Sequence, residues 1–307
     1  MKIAVMGSGG IGGYFGGRLA AAGADVTFIA RGAHLEAMQK DGLRIVSPLG
    51  DAHIAPVEAT NDPATIGPVD VVMFCVKLYD VEQACELIEP IVGPDTAVIS
   101  FLNGVDSEER MQAVLGVDAV VGGVARIPSN IAEPGVIQHM GPFAELDFGE
   151  MDGRDSPRLR AFHKACEDAG IQSYLVDNIE VAIWLKLAIL APFADVCCLT
   201  RQPGRIMIED PYVQEIAFAA MREVIAVAEA KGVPLPPDAL QSRMDMMNGF
   251  ADAKPSMLHD LEAGNRIELD GLQGAVVRMG SELGVPTPVH QVVYAALRPY
   301  VNGPPNA

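Results

Sequence analysis

The residues best suited to chemistry in this chain begin at position 7. Gly7-Ser8-Gly9-Gly10-Ile11-Gly12 follows a short apolar run, Ile3 to Met6, and leads into a helical stretch reaching Ala22. Strand, glycine turn and helix in that order suit the pyrophosphate of a dinucleotide. Gly7 permits a tight turn, Gly9 lets backbone approach a phosphate with no Cβ between, and Gly12 lets the helix lie close to the strand. Ser8, Gly10 and Ile11 complete the cradle, and the helix N-terminus adds open N–H groups and a positive dipole end. A Gly-rich turn that only packs a helix on a sheet would read the same way in a chain with 31 glycines. Its place inside a complete strand-turn-helix favours the cofactor.

Three polar residues at the ends of later strands extend this reading. A carboxylate closing the second strand would accept the ribose 2′-hydroxyl of NAD. Here the strand 25–30 ends in Arg31, whose guanidinium cannot accept that bond but pairs with a 2′-phosphate and stacks on adenine. Arg31 therefore points to NADP, against the plainer reading of a solvated surface arginine. His34 stands near enough to assist, or is an exposed loop histidine. Lys77 and Asn103 follow the next two strands, where ligands of parallel sheets bind. Lys77 would bring positive charge to cofactor or acidic substrate, and Asn103 a donor and an acceptor near the nicotinamide ribose.

The elements that must hold these residues alternate up to about residue 175. Strands are expected at 2–6, 25–30, 69–76, 97–101 and 119–124, and helices at 11–22, 34–39, 81–89 and 108–115. Several strands are almost wholly apolar, as in VVMFCV, so both sheet faces are covered. That pattern gives an α/β fold with a parallel, doubly wound, Rossmann-type sheet. Residues 136–147 and a polar loop at 149–157 read as a later, more antiparallel part. From 177 the period changes to i, i+3, i+4 over 179–190, 213–231, 237–251, 256–263, 272–283 and 288–301, which gives an all-helical second domain. The expected domains are thus 1–176, binding NADP, and 177–307, carrying substrate and catalysis. The tail 302–307 is expected to fray.

In the helical half two motifs complete a resemblance. Trp184-Leu-Lys186 is one, and Lys254-Pro-Ser256-Met257 with Asp260, Gly264, Glu268, Leu269-Asp270, Gly274, Gly284-Val-Pro286 and Pro288 is the other. With the N-terminal fingerprint, Arg31, Lys77 and Asn103-Gly104, the chain resembles the ketopantoate reductases (2-dehydropantoate 2-reductases) along nearly its whole length. The resemblance implies NADPH-dependent reduction of a 2-oxo acid to its 2-hydroxy acid, in pantothenate biosynthesis. By analogy Lys186 is the general acid. Glu268 orients substrate or supports the lysine and also borders the cofactor, and Ser256 binds the substrate carboxylate with Asn103 alongside. An ammonium suits the oxygen of a ketone being reduced, because negative charge grows there. Structural readings compete: Lys186 as a snorkelling helix residue, Glu268 as a surface charge, Ser256 as an N-cap.

The chain departs from the family one and two helical turns after Lys186. Leu190 and Ala194 stand where the family usually carries Asn on the face that meets substrate. Apolar residues there suit a more apolar 2-oxo or 2-hydroxy acid, because amides that hydrogen-bond a hydroxyl discriminate strongly. A more distant alternative is a non-catalytic NADP-binding sensor, whose mark would be loss of the proton donor.

Bulk properties bound the partners. With 307 residues, half of them hydrophobic and 20% charged, the chain is globular. A net charge of −18 argues against nucleic acid or anionic membrane as partner, and no apolar run is expected to reach the length of a membrane span. The strand at the N-terminus leaves no room for a signal peptide. Five cysteines without CxxC or metal spacing read as reduced, mostly buried thiols of a cytoplasmic protein with no metal site. The apolar stretch 213–230 fits either a homodimer contact or an internal core.

Overall fold

A computed structural model describes residues 1–305. The chain divides into two compact units: Met1–Leu102 with Ser107–Ile179, and Asn103–Asp106 with the chain from Glu180 onward. The sequence reading placed the border at 176/177 and kept Asn103 in the first part.

In the first unit the chain runs β1 (Lys2–Met6), α1 (Gly10–Ala21), β2 (Asp25–Ile29), α2 (Gly32–Asp41), β3 (Leu43–Val46), β4 (Ala52–Ile54), β5 (Glu58–Thr60) and β6 (Val69–Phe74). It continues through α3 (Val81–Ile88), β7 (Val92–Ser100), α4 (Ser107–Leu115), β8 (Val120–Arg126), β9 (Ser129–Glu133), β10 (Val136–His139), β11 (Glu145–Glu150), α5 (Pro157–Asp168) and β12 (Gln172–Leu175). Eight strands form the main sheet in the order β12-β11-β8-β7-β6-β1-β2-β5. Every pair in it is parallel except β11 with β8. The α/β, doubly wound expectation is met. The central strands are closed on both faces, with Ile3, Val5, Val71, Met73, Ala97 and Ile99 all at 0% exposure. Such strands need no alternation, which is why they read as continuous apolar runs.

Four further strands, β4-β3-β10-β9, make a second small sheet that the sequence reading did not separate. They are three to five residues long, and β9 (SNIAE) is mostly exposed, so neither length nor alternation announces them. The expected loop at 149–157 is also shorter, since Gly149 and Glu150 belong to β11 and Pro157 opens α5. Ser156 caps α5 by accepting from the Leu159 N–H, and Arg158 donates to the buried Glu150 carboxylate at 2.7 and 2.8 Å.

The second unit is helical: α6 (Ile179–Thr200), α7 (Ile206–Glu209), α8 (Pro211–Lys231), α9 (Ala239–Met246), α10 (Ser256–Glu262), α11 (Gln273–Leu283) and α12 (Pro288–Leu297). Its largest buried side chain is Trp184, at 1% exposure. Helix α6 outruns its expected end at 190 by ten residues, with Pro192 inside it. A proline costs a helix the bond to residue i−4, and packing outweighs that loss here, since Ala188, Ala191 and Phe193 are all buried. Helix α6 also exceeds the expected limit on apolar runs: it is long and apolar enough to cross a membrane, although most of its apolar window is buried in the protein. Helix α8 buries Ala217, Ala220, Met221, Val224, Val227 and Ala228 and leaves Tyr212 and Ile216 exposed, so most of its apolar face serves the core. The tail does not fray at Asn302, which bridges Arg266; residues 306–307 of that expectation lie outside the described residues.

Candidate active site

In the first unit the glycine turn fulfils its local requirements. Gly7 has φ +96°, and a Cβ there would lie 2.6 Å from the Cys75 carbonyl oxygen, so any side chain is excluded twice over. A Cβ on Gly12 would meet the Gly7 carbonyl and stand 2.8 Å from Val5 Cγ1, so this glycine lets α1 close onto β1. Gly9 is the opposite case. Nothing lies within 4 Å of where its Cβ would be, so the turn opens to one side at this residue. A glycine kept where space is ample fits a backbone that must be approached by a ligand. The first-turn N–H groups at Gly10, Ile11 and Gly12 have no acceptor within the helix, and the first such bond is from Gly13 to Gly9 at 2.7 Å. The turn therefore fits a dinucleotide pyrophosphate.

Two side chains near the turn differ from their expected parts. The Ser8 hydroxyl donates to the Ile29 carbonyl at 3.1 Å and is buried, so only its backbone faces a cofactor role. His34 is not an exposed loop residue beside Arg31. It lies half-buried in α2 with both ring nitrogens engaged, one to the Ser8 carbonyl at 2.9 Å and one to the Gly135 N–H at 3.0 Å. Burial lowers its pKa, outweighing the Ser8 bond. Arg31 follows β2, its side chain 86% exposed, with Asp80 Oδ2 at 3.2 Å. Surface pairs of this kind are worth little, so the guanidinium stays available to a phosphate. Lys77 lies half-buried three residues beyond β6, ahead of the short helical turn Leu78–Asp80.

In the second unit four separate stretches supply the other expected residues. Lys186 and Leu190, one turn apart on α6, are half-buried while Leu187, Ala188 and Ile189 around them are closed. Ala194 is 1% exposed, so its methyl offers a ligand almost no surface, and the apolar wall expected of both residues narrows to Leu190. Asn103 is half-buried in the segment that groups with this unit, where Asp106 Oδ2 accepts from Arg278 at 2.8 Å. Glu268 is 8% exposed rather than a surface charge. Ser256 is the first residue of α10, with Pro255 at the N-cap and no side-chain cap bond, so capping does not account for it.

Other residues of the second motif make local bonds in the chain on either side of Glu268. Lys254 bonds both oxygens of Glu262 across α10, at 2.8 and 2.9 Å. Asp260 accepts from the backbone N–H and side chain of Asn265, and Gly264 turns the chain with φ +71°. The Glu268 carbonyl then accepts from the N–H groups of Gly271 and Leu272 ahead of α11.

Sequence reasoning missed a buried polar cluster in this unit. Asp195 accepts from Gln273 Nε2 at 2.7 Å and has His290 Nε2 at 3.5 Å; His290 Nδ1 bonds Glu223 at 2.7 Å. Asp195, Gln273 and His290 are all fully buried. The one available signal was an aspartate inside an apolar helix. The five cysteines are free thiols, and burial pushes those of Cys85, Cys166 and Cys197 up to about 12.

Comparison with known proteins follows this division of the chain. The profile of ketopantoate reductase PanE/ApbA matches residues 3–153, and the C-terminal profile of the same family matches 178–301. The chain belongs to the ketopantoate reductase family. It is an oxidoreductase. An uncharacterised oxidoreductase of Bacillus subtilis, YkpB, is 32% identical, with 98% of this chain and 99% of that one covered. A 2-dehydropantoate 2-reductase of Mesorhizobium japonicum is also 32% identical, over 97% of both. Among solved structures, a PanE/ApbA family ketopantoate reductase from Ralstonia eutropha has TM-score 0.90 at 31% identity, covering 98% of each chain.

Proposed function

We propose that the protein reduces a 2-oxo acid to its 2-hydroxy acid with NADPH, with 2-dehydropantoate the default substrate, as in its named relatives. The observation that carries this reading is the pair of requirements met in one family member: a turn open at Gly9, and a half-buried ammonium, Lys186, followed on its helix by the closed residues Leu187, Ala188 and Ile189. When bound, the reduced nicotinamide supplies the hydride. The chain's own part is positioning and proton supply. Backbone from Gly7 to Gly12 holds the pyrophosphate, Arg31 the 2′-phosphate, and Lys77 adds positive charge. Lys186 donates a proton to the carbonyl oxygen as that oxygen gains charge. Ser256 and Asn103 bond the substrate, and buried Glu268 orients it or supports the lysine.

Leu190 favours a second reading, a substrate with a more apolar side chain, since a methyl-rich wall cannot reward a hydroxyl. A panel of 2-oxo acids assayed with NADPH and NADH tests both. Ketopantoate should lead the panel on the first reading, and a bulkier apolar acid on the second. K186A should lower kcat by about 10²- to 10⁴-fold with the fold intact. R31A should raise the NADPH KM and leave that for NADH alone. Equal use of the two cofactors by the wild type would remove the case for NADPH.

A further inference from the structure

We propose that His34 is a positioning residue for the glycine turn, pinning the Ser8 carbonyl so that the following Gly9 N–H is aimed at the cofactor's pyrophosphate. The inference rests on the reading that this turn holds NADP(H). A backbone N–H only donates, so His34 Nδ1 must accept from Gly135, and the single ring proton sits on Nε2. Nε2 therefore donates to the Ser8 carbonyl. Across a trans peptide the carbonyl and the next N–H point in opposite directions. Holding the Ser8 oxygen toward α2 thus turns the Gly9 N–H away from α2.

The same frame closes the turn's other flank. A Cβ on Gly10 would run into the Ser129 carbonyl group of β9, and one on Gly13 would lie 2.7 Å from Ile137 Cδ1 of β10. Gly135 lies in the turn joining those two strands, and its own carbonyl is fixed by the Arg44 N–H at 2.9 Å. The small sheet and His34 therefore grip the turn at Ser8, Gly10 and Gly13. Among the glycines from 7 to 13, Gly9 alone faces open space.

Isothermal titration of the full chain with NADPH and with 2′-AMP, which lacks a pyrophosphate, tests the assignment. H34L should weaken NADPH about tenfold, the worth of one lost aiming bond, and leave 2′-AMP unchanged. H34Q, whose amide can accept from Gly135 and donate to Ser8, should restore NADPH to within about threefold of wild type. Unchanged NADPH affinity in H34L, equal loss of both ligands, or no rescue by glutamine would each overturn the proposal. Should H34L fail to fold, ¹⁵N-histidine spectra of the wild type decide. An Nε2–H tautomer is expected, and an Nδ1–H or rapidly exchanging ring in protein that binds NADPH rejects the latch alone. No NADPH binding with the Nε2–H tautomer present rejects the cofactor reading instead.

Discussion

Two adjacent glycines carry opposite duties. Gly9 opens onto empty space, whereas Gly10 is pressed against the Ser129 carbonyl. G9A should leave the thermal midpoint unchanged and weaken NADPH by about tenfold or more, because only a bound phosphate meets the new methyl. G10A should cost several degrees of midpoint, since backbone rather than a side chain must yield. Differential scanning calorimetry beside titration separates the two, and matching losses in both variants would contradict the assignment. Legibility at this scale follows locality. Gly7 and Gly12 could be read because their requirements lie within the strand-turn-helix itself. The role of His34 could not, because the residue that fixes its tautomer lies 101 positions away.

Helix α6 shows what periodicity conceals at the scale of an element. An apolar stretch interrupted by Pro192 reads as ending at 190, yet packing on nearly every side carries it to Thr200 and takes Asp195 inside. Burial pushes the Asp195 carboxyl up to about 6, with His290 and Gln273 opposing and Glu223 adding. The folded state thus holds this proton more tightly than the unfolded one. The stability it brings is full below the ordinary carboxylate value of 3.8 and is lost as pH rises through about 6, a swing of about 3 kcal/mol. Burial raises Glu223 too, but bonds from the His290 ring and the N–H groups of residues 289 and 290 outweigh it and hold its pKa down. Glu223 therefore contributes stability that disappears only at more acid pH. D195N keeps the bond from Gln273 and should flatten the urea-midpoint profile between pH 4 and 6. A slope as steep as that of wild type would place its origin elsewhere. The short strands of the second sheet escaped notice for a related reason: three to five mixed residues take their pairing from partners distant in sequence.

For the whole molecule, the alternation of strands and helices followed by purely helical periodicity was enough to name the fold class, because each pattern is set by which faces are covered. The substrate was not legible. On the proposed reading it turns on one half-buried residue, Leu190, whose type narrows polarity and not identity. Chain length matters in a way composition does not show. The Ile267 N–H donates to the Val301 carbonyl at 3.0 Å, Arg266 bridges Asn302, and Gly264 lies against Pro304. Removing residues 301–307 should lower kcat by about a hundredfold while NADPH still binds, as expected when a group that orients substrate is displaced by an ångström. Full turnover in the shortened chain would refute this.

The stretch that bears Glu268 is thus braced by a segment, 301–304, that lies beyond two further helices. A chain cut ahead of Val301 would lose that brace and leave the turn from Gly264 to Ile267 without its distant partners. A cut at that point would therefore act on the helical unit, while the glycine turn belongs to the other unit and keeps its own contacts.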